Sequence, residues 1–268
     1  MQENKNDYGL PKEVKFCKKC VISNQRPSST IEFRTSYNDK KEVINFDKSG
    51  VCSACLYHEK KNKDIDWKER ERKLYNLLDN FRSKDGSYDV IVPGSGGKDS
   101  AFTSHLLKEK FGMNPLTVTW APHLYTSIGW ENMQNWSHVG GLDNILFTPN
   151  GRLHRLMTKN AFHNLLHPFQ PFIIGQRIIG PLMAKKFGVN LVMYGENQAE
   201  YGNSIKDNKN PLMDMNFFSV NKPYEMKFGG VNMKDYIEKN RFSFGDFRPY
   251  IPPSKKELLE SNIAVHYL

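Results

Sequence analysis

The chain has 268 residues, 25% of them charged and 38% hydrophobic, which is an ordinary composition for a soluble protein. This length suits one full α/β domain plus a small satellite, and no stretch approaches the ~20 apolar residues of a membrane span. The net charge of +9 favours an anionic partner such as a nucleotide, a nucleotide sugar or RNA, without choosing among them. Because the first residues also lack the apolar core of a secretory signal, we expect a cytoplasmic protein without a membrane partner.

The cysteines form two Cys-x-x-Cys pairs near the start of the chain, Cys17 with Cys20 and Cys52 with Cys55. Two such pairs in a cytoplasmic chain are typical of a tetrahedral zinc site, in which each tight turn supplies two thiolates. Four protein ligands leave no open position, so we predict a structural zinc rather than a catalytic one. A pair of disulfides is the alternative, which a reducing cytosol disfavours. His58 is a second-choice ligand, and a solvent-exposed histidine is the simpler interpretation.

Residues 1–65 are predicted to form a zinc-ribbon module, because short β-like runs such as residues 31–33 supply too few apolar side chains to fold without the metal. A connecting helix is predicted over residues 66–87, with Asp66 as its N-cap and Asp85-Gly86 at its end. We expect this helix to pack the module against the main domain.

Residues 88–268 alternate between strand and helix patterns. Strands are predicted at 88–92, 116–120, 144–147 and 191–194, and helices at 101–110 and 175–187. The alternation predicts an α/β fold with a doubly wound parallel sheet, in which ligands bind beyond the carboxyl ends of the strands. Irregular sequence after Asn203, including residues 228–230, is interpreted as a substrate loop or as a disordered surface excursion.

A glycine-rich run, Val92-Pro93-Gly94-Ser95-Gly96-Gly97-Lys98-Asp99-Ser100, joins the first predicted strand to the first predicted helix. The Walker A pattern fails here, because Asp99 follows Gly97-Lys98 where Ser or Thr is required, and Val92 stands where the first Gly is required. The run resembles the pyrophosphate loop of the N-type ATP pyrophosphatases. That resemblance implies a HUP-like fold and cleavage of ATP to AMP and pyrophosphate.

The residue types in this run suit the binding of ATP phosphates. Glycines let the backbone approach the phosphates closely, hydroxyl groups add donors, and a helix N-terminus adds partial positive charge. Asp99 is a good Mg²⁺ ligand, whereas Lys98 either contacts phosphate or points to solvent. A glycine-rich turn without a ligand is the simpler alternative. The predicted ATP contacts are Gly94, Ser95, Gly96, Gly97, Asp99, Ser100 and Trp120, with Trp120 either beside adenine or in the core.

The adenylated substrate is expected to react with nitrogen rather than with sulfur. All four cysteines are assigned to the zinc site, so none is left to carry a persulfide. None is left to act as the nucleophile of a glutaminase either. Ammonia would therefore come from a partner protein.

Several motifs together extend the resemblance from about residue 16 to residue 205. They are Cys17-Lys18-Lys19-Cys20-Val21, Gly50-Val51-Cys52-Ser53-Ala54-Cys55, the run 88–100, Leu116-Thr117-Val118-Thr119-Trp120 and the run 194–202. This combination resembles the N-acetyl sugar amidotransferase family of lipopolysaccharide and flagellar glycan biosynthesis. The resemblance implies that ATP adenylates the acetamido oxygen of a nucleotide-activated sugar and that ammonia then displaces AMP to give an acetamidino group. It also implies glutaminase and synthase partners similar to a pair from histidine biosynthesis.

The remaining candidate residues follow other predicted strands or open the predicted helix 175–187. Asp99, Lys98 and Glu196 are the candidate catalytic residues, and Gln176, Arg177 and Glu200 are the candidate substrate contacts. His123 and His154 are candidates for proton transfer, with a structural or exposed role as the simpler alternative. A tRNA-modifying ATP pyrophosphatase is the alternative function, although nucleic acid is the less favoured partner. A non-catalytic subunit of a synthase complex is a third possibility, which the intact glycine loop disfavours.

Overall fold

The computed structural model describes residues 10–27, 31–34, 42–196 and 211–268, which fall into two compact units. The described part of the first unit is 10–27, 42–74 and Pro211. The second unit contains 31–34, 75–196 and 212–268.

One short segment between the two cysteine pairs belongs to the second unit rather than the first. The β-like run expected at residues 31–33 is wrong, because Glu32–Arg34 form a 3₁₀ turn. Phe33 of this turn is 2% exposed and lies in the core of the second unit. Burial of this aromatic side chain decides where the segment lies, and local β propensity does not.

The first unit has little regular structure and a small apolar cluster. Its helix α1 (Ser53–Lys63) follows Cys52, and helix α2 (Trp67–Phe81) crosses the division between the units. Asp66 caps α2 as predicted, since its Oδ1 accepts from the N–H groups of Lys68 and Glu69 at 3.0 Å. The buried cluster is Cys17, Ile44, Val51 and Cys52.

Helix α2 ends at Phe81, four residues before the predicted end at Asp85-Gly86. The Oδ1 atom of Asp85 accepts hydrogen bonds from the Ser83 hydroxyl and from the N–H of Ser87. These short polar side chains offer the backbone a turn in place of another helical turn.

The second unit is built on a parallel sheet. Its strands are β1 (Val90–Pro93), β2 (Pro115–Trp120), β3 (Asp143–Phe147), β4 (Leu191–Tyr194), β5 (Lys227–Phe228), β6 (Val231–Asn232) and β7 (Ala264–Tyr267). Among the described residues the sheet has five strands in the order β3-β2-β1-β4-β7, all parallel, while β5 and β6 form a separate antiparallel hairpin. The predicted α/β class with a parallel sheet is confirmed.

Helices connect the strands, as the alternating pattern predicts. They are α3 (Lys98–His105, followed by the π-helical turn Leu106–Lys110), α4 (Ser127–His138), α5 (Gly151–Leu165), α6 (Gln170–Phe187), α7 (Met233–Asn240), α8 (Phe244–Phe247) and α9 (Lys255–Glu260). No helix in the described parts of the chain is long and apolar enough to cross a membrane.

Helix α6 begins five residues earlier than predicted, with Pro171 in its first turn, where proline is favoured. Gln176 and Arg177 therefore lie well inside the helix and do not open it. Gly188 ends the helix in the left-handed conformation, φ +69°, as predicted.

The C-terminal part of the chain, residues 212–268, is an integral part of the second unit. The Phe228-Gly229-Gly230 segment, expected in a loop, forms the hairpin between β5 and β6, and its two glycines have positive φ values of +60° and +76°. Phe228 is fully buried, and β7 adds a fifth strand beside β4. Residues 204–210 of the expected substrate loop lie outside the described residues.

Candidate functional site

The glycine loop lies at the point where the strand order of the sheet reverses. From β1 the chain proceeds to β2 and β3 on one side, whereas β4 and β7 lie on the other side. Gly94–Gly97 leave the carboxyl end of β1 at this point and lead into α3. The crevice beyond the carboxyl ends of the strands at such a switch point is the usual ligand site of open α/β sheets.

Three glycines of the loop serve different purposes. A Cβ on Gly94 would lie 2.1 Å from the Cβ of Ser100, and a Cβ on Gly96 (φ +79°) would lie 2.8 Å from the Cα of Met133. The loop is thus pressed against the start of α3 and against the backbone of α4. By contrast, a Cβ on Gly97 would have the Ser95 Oγ, 4.0 Å away, as its nearest neighbour. The backbone at Gly97 is therefore open on the side where a ligand would approach.

Gly97 also occupies the N-cap position of α3, so no side chain caps the helix there. A bare helix N-terminus behind an open glycine suits an anion, because its amide groups and the helix dipole both favour negative charge. The Ser100 hydroxyl is buried and donates to the carbonyl oxygen of Gly97 at 3.1 Å. Ser100 therefore supports the shape of the loop in this structure.

The two charged residues of the loop lie at its mouth. The Lys98 ammonium is 2.5 Å from Oδ1 of Asp99, and their side chains are 88% and 34% exposed. The carboxylate of Asp99 thus lies in the first turn of α3, accessible to solvent and to a cation.

The end of β4 approaches the same helical turn. A Cβ on Gly195 would lie 2.5 Å from the carbonyl oxygen of Asp99 and 2.5 Å from the Thr103 hydroxyl, so only glycine fits. Glu196 follows directly and is exposed. The structure therefore brings Asp99 and Glu196 to one edge of the sheet. Glu200 lies outside the described residues.

Trp120 lies in the core, which favours the simpler of its two predicted roles. Its side chain is 2% exposed, and its ring centroid lies 5.0 Å from those of both Phe147 and Tyr250. Gly175 packs directly on the indole, since a Cβ there would lie 2.1 Å from Cε2. No open ring face is left for adenine in this structure.

Another tryptophan supports the loop and was not identified from the sequence. The indole N–H of Trp136, on α4, donates to the Ser104 hydroxyl of α3 at 2.7 Å. The same ring lies 3.1 Å from where a Cβ on Gly94 would be. Trp136 thus ties α4, α3 and the loop together, and it belongs to no motif and to no helix predicted from the sequence.

Arg177 places a hydrogen-bond donor in a buried position. Its Nη1 is buried and has no hydrogen-bond partner among the described residues, while its Cζ lies 5.3 Å from the Phe217 ring centroid. Burial lowers the pKa of this guanidinium, and the charge of Glu32 opposes that shift. The Tyr194 hydroxyl donates to the backbone carbonyl of Arg177 at 2.8 Å, which ties this turn of α6 to the end of β4. Gln176, the neighbouring candidate, is exposed.

The two candidate histidines are in contact, and His154 also contacts a buried tyrosine. His123 follows β2, and His154 lies in the first turns of α5. Nδ1 of His154 is 2.5 Å from the Tyr250 hydroxyl, and Nε2 of His154 is 3.1 Å from Nδ1 of His123. Sequence reasoning missed Tyr250, which lies 96 residues beyond His154 and belongs to no motif.

Burial keeps this cluster uncharged at neutral pH. It lowers the pKa of His154 to about 4, with a smaller contribution from His123. Burial also lowers the pKa of His123 and raises the pKa of Tyr250. The expected proton-transfer role remains a prediction, and the geometry adds the buried Tyr250 hydroxyl as a partner of His154.

The first unit brings all four cysteines together. The four sulfur atoms lie within 4.8 Å of one another, and none of them forms a disulfide. Sγ of Cys17 is 4.0 Å from Sγ of Cys55, and Sγ of Cys20 is 3.7 Å from Sγ of Cys52. A tetrahedral ion with bonds of about 2.3 Å would place sulfur atoms about 3.8 Å apart. The cluster therefore fits a metal such as zinc.

Backbone amides favour the thiolate of Cys17 in this cluster. The N–H groups of Lys19 and Cys52 each donate to Cys17 Sγ at 3.3 Å. Desolvation alone would raise the pKa of Cys17, but hydrogen bonds from its neighbours outweigh it and lower the pKa to about 6. Burial raises the pKa of Cys52 and Cys55, so their thiolates would need the charge of a bound metal. His58 lies outside the cluster, with its Nε2 3.0 Å from the Asn62 amide, which supports its interpretation as an exposed histidine.

Comparison with known proteins adds one local similarity. No protein-family model matches the chain. An uncharacterized protein of Methanocaldococcus jannaschii is 41% identical over 78 residues, which is 29% of this chain and 27% of that protein. The similarity covers less than a third of either protein, so it assigns no activity to this one.

Proposed function

We propose that this chain is an ATP-dependent, AMP-forming amidotransferase that converts the acetamido group of a nucleotide-activated N-acetyl sugar into an acetamidino group. The observation that supports adenylation best is the glycine loop at the switch point of the sheet. Its backbone is open at Gly97, and it leads into the uncapped N-terminus of α3. The triphosphate of ATP would bind there, and cleavage between its α and β phosphates would supply AMP to the substrate.

Two carboxylates suit the divalent cation that such a reaction requires. Asp99 lies in the first turn of α3, and Glu196 follows Gly195, whose backbone touches that turn. Carboxylate oxygens are the ligands that Mg²⁺ prefers, and bound Mg²⁺ would neutralise charge on the phosphates. Lys98, beside Asp99, adds a positive charge at the same mouth.

The cysteine cluster supports nitrogen as the nucleophile. It contains all four cysteines of the chain, so no thiol is left for a persulfide or for glutamine hydrolysis. In the proposed reaction, the amide oxygen bonds to the α phosphorus of ATP as pyrophosphate leaves. Ammonia then bonds to the amide carbon, AMP leaves, and a proton is released. Glutaminase and synthase subunits would supply the ammonia, and the product would enter lipopolysaccharide or flagellar glycan.

Arg177 is proposed as the contact to the anionic part of the acceptor. Its buried Nη1 has no partner within the part of the chain that the structure describes, and a buried guanidinium N–H without an acceptor is costly. A phosphate of the nucleotide sugar would provide one and would form a charge-assisted hydrogen bond.

The reaction can be tested by measuring AMP and pyrophosphate. The purified chain is incubated with ATP, Mg²⁺, ammonium and a panel of N-acetyl sugar nucleotides that differ in sugar and nucleotide. We expect AMP formation that requires both ammonium and one of the sugar nucleotides. AMP formation that requires tRNA and ignores the sugars would instead support the tRNA-modifying alternative, and no AMP with any acceptor would contradict adenylation.

Two variants localise the ATP site within this assay. Gly97→Ser places a Cβ in the open space of the loop and supplies a better N-cap, so the KM for ATP should rise about tenfold or more while Tm stays within about 2 °C. Gly151→Ser, at the exposed start of α5, is the matched control and should leave both the KM for ATP and the Tm unchanged.

Asp99→Ala should abolish AMP formation while the zinc content stays at one ion per chain. Full turnover by Asp99→Ala would remove this carboxylate from the proposal.

A further inference from the structure

The carboxylate of Glu32 lies beside helix α6, although the sequence predicts this residue in the zinc-ribbon module. Nε2 of Gln170, at the start of α6, donates to the backbone carbonyl of Glu32 at 2.7 Å. The neighbouring Phe33 is buried in the core of the second unit, which fixes the turn there. The Glu32 side chain is 14% exposed, and within the described residues its carboxylate faces Nε2 of His167 at 3.6 Å. That distance is too long for a hydrogen bond.

Glu32 and Arg177 lie on the same side of α6. Arg177 follows Gln170 by seven residues, which is about two helical turns. Side chains on a helix lean towards its N-terminus, which for Arg177 is the direction of Gln170 and Glu32. The charge of Glu32 accordingly opposes the effect of burial on the Arg177 pKa. The structure describes both side chains, and they form no direct ion pair with each other, while Nη1 of Arg177 has no partner among the described residues.

Arg177 approaches the edge of the sheet from the face opposite to α3. The side chain of Tyr194 contacts α6, since its hydroxyl donates to the carbonyl of Arg177 and lies 3.1 Å from where a Cβ on Gly180 would be. The next residue, Gly195, packs on α3 instead. Successive residues of a strand point to opposite faces, so α6 and α3 cover different faces of the sheet. A ligand at Arg177 therefore lies on the other side from the helix that follows the glycine loop.

Arg177 and Glu32 have complementary requirements. A guanidinium only donates hydrogen bonds, and a carboxylate only accepts them. Burial without a short hydrogen bond is costly for both groups. A purely anionic group would satisfy Arg177 and would be repelled by Glu32. A group that combines an anionic acceptor with an adjacent hydroxyl would satisfy both.

We infer that Arg177 and Glu32 bind one phosphate ester between them, in which a phosphate oxygen accepts from Arg177 and a neighbouring hydroxyl donates to Glu32. A sugar nucleotide offers both groups, whereas inorganic phosphate adds negative charge beside the carboxylate. Glu32 is thus a specificity residue that favours a phosphate esterified to a sugar over free phosphate. The identity of the ligand as a sugar nucleotide rests on the proposed function, whereas the requirements of the two side chains rest on this structure.

The stability of the free protein tests whether Arg177 is a ligand contact. Arg177→Met keeps the apolar stem and removes a buried N–H without an acceptor, so the Tm should rise or stay within about 2 °C of the wild-type value. Arg155→Met, at an exposed position on α5, is the matched control and should leave the Tm unchanged. A larger fall in Arg177→Met alone would show that the guanidinium supports the fold and would overturn the inference.

Binding tests the role of Glu32 through two changes of opposite sign. Equilibrium titration without ATP or ammonium measures the affinity for inorganic phosphate and for each sugar nucleotide of the AMP assay. Glu32→Gln keeps the shape and removes the charge, so it should weaken the sugar nucleotide about tenfold and tighten phosphate several-fold. Adding Arg177→Met should abolish the gain for phosphate, which separates this site from the glycine loop. Glu225→Gln, at an exposed position of the second unit, is the matched control and should change neither affinity.

The outcomes distinguish this inference from the proposed function. An unchanged phosphate affinity in Glu32→Gln, or a gain that persists after Arg177→Met, would contradict the role of Glu32. Affinities that change as expected without any AMP formation would support the site and reject the proposed reaction. AMP formation with a sugar nucleotide whose KM is the same in Glu32→Gln as in the wild-type protein would support the reaction and overturn the inference.

Discussion

At Gly94, Gly96 and Gly97, the same residue type answers three different physical demands. Gly94 leaves room for Ser100, Gly96 adopts a positive φ against the backbone of α4, and Gly97 leaves an open backbone. A glycine-rich motif predicts close approach in general. Which glycine packs against protein and which one has an open backbone depends on α4, whose residues lie at least thirty positions away in the chain.

The buried His154 predicts that stability falls on mild acidification. Its pKa is about 6.5 in an unfolded chain and about 4 in the folded protein, so between these values the unfolded chain binds a proton that the folded protein does not. Stability from this residue is therefore complete above about pH 6.5 and is lost as the pH falls towards 4, by at most about 2 kcal/mol between pH 7 and pH 5. Urea unfolding at several pH values measures the slope.

The control for this measurement is the His154→Gln variant. Its glutamine side chain does not titrate, and the variant protein keeps the same cysteine cluster as the wild-type protein. Acid effects on the metal site are then common to both proteins. We expect the wild-type protein to lose more stability than the variant over this range. Parallel pH profiles would mean that His154 is accessible to protons in the folded state.

At the scale of elements, the approach of α6 to the sheet depends on residues without side chains. A Cβ on Gly175 would lie 2.1 Å from the Trp120 ring, and a Cβ on Gly180 would lie 2.7 Å from Pro93. The helix thus packs closely against β1 and β2, and its turn at Arg177 is held beside the end of β4. A strand-and-helix pattern predicts that the helix exists but says nothing about this distance.

Gly175→Ala should therefore disturb the packing of α6 on β2. The added methyl group meets a fully packed indole, and overpacking of this kind costs about 1–3 kcal/mol. Thermal or urea unfolding measures the change in stability. Gly151→Ala adds the same methyl group at an open, exposed position and should be neutral or slightly stabilising. Equal stability of the two variants would show that the core relaxes around Gly175 without cost.

At the scale of the whole molecule, the two units are stabilised by different means. The second unit has a large apolar core around its sheet. In the described part of the first unit, the core cluster contains two cysteines that are also candidate metal ligands, with Ile44 and Val51. A cluster this small rarely folds alone, and metal binding to four thiolates contributes on the order of 10–16 kcal/mol in comparable small domains.

Removal of the metal should therefore unfold the first unit selectively. The protein as purified should contain one zinc ion per chain, measured by mass spectrometry. After chelation, hydrogen exchange should show loss of protection in α1, while β1, β2 and β4 keep theirs.

Two substitutions near the cysteines control this experiment. Cys55→Ser removes a candidate ligand and should lower the zinc content, whereas His58→Gln changes a side chain outside the cluster and should not. Protein that contains no metal and is fully protected in α1 would show that the thiols fold the unit unaided.

Features that depend on neighbouring residues could be predicted from the sequence. The cysteine pairs, the glycine loop between strand and helix, the N-cap Asp66 and the C-cap Gly188 are local patterns, and the structure contains each of them. The α/β class followed from the alternation of these patterns.

Only the tertiary structure decided the features that depend on distant partners. Phe33 joins the core of the second unit, β7 completes the sheet, and Tyr250 meets His154 across 96 positions. Spacing and propensity describe one stretch of chain at a time, whereas burial and hydrogen-bond pairing act between stretches that only folding brings together. The sequence by itself therefore determined the loop and the cysteine pairs, and the packed fold decided what surrounds them.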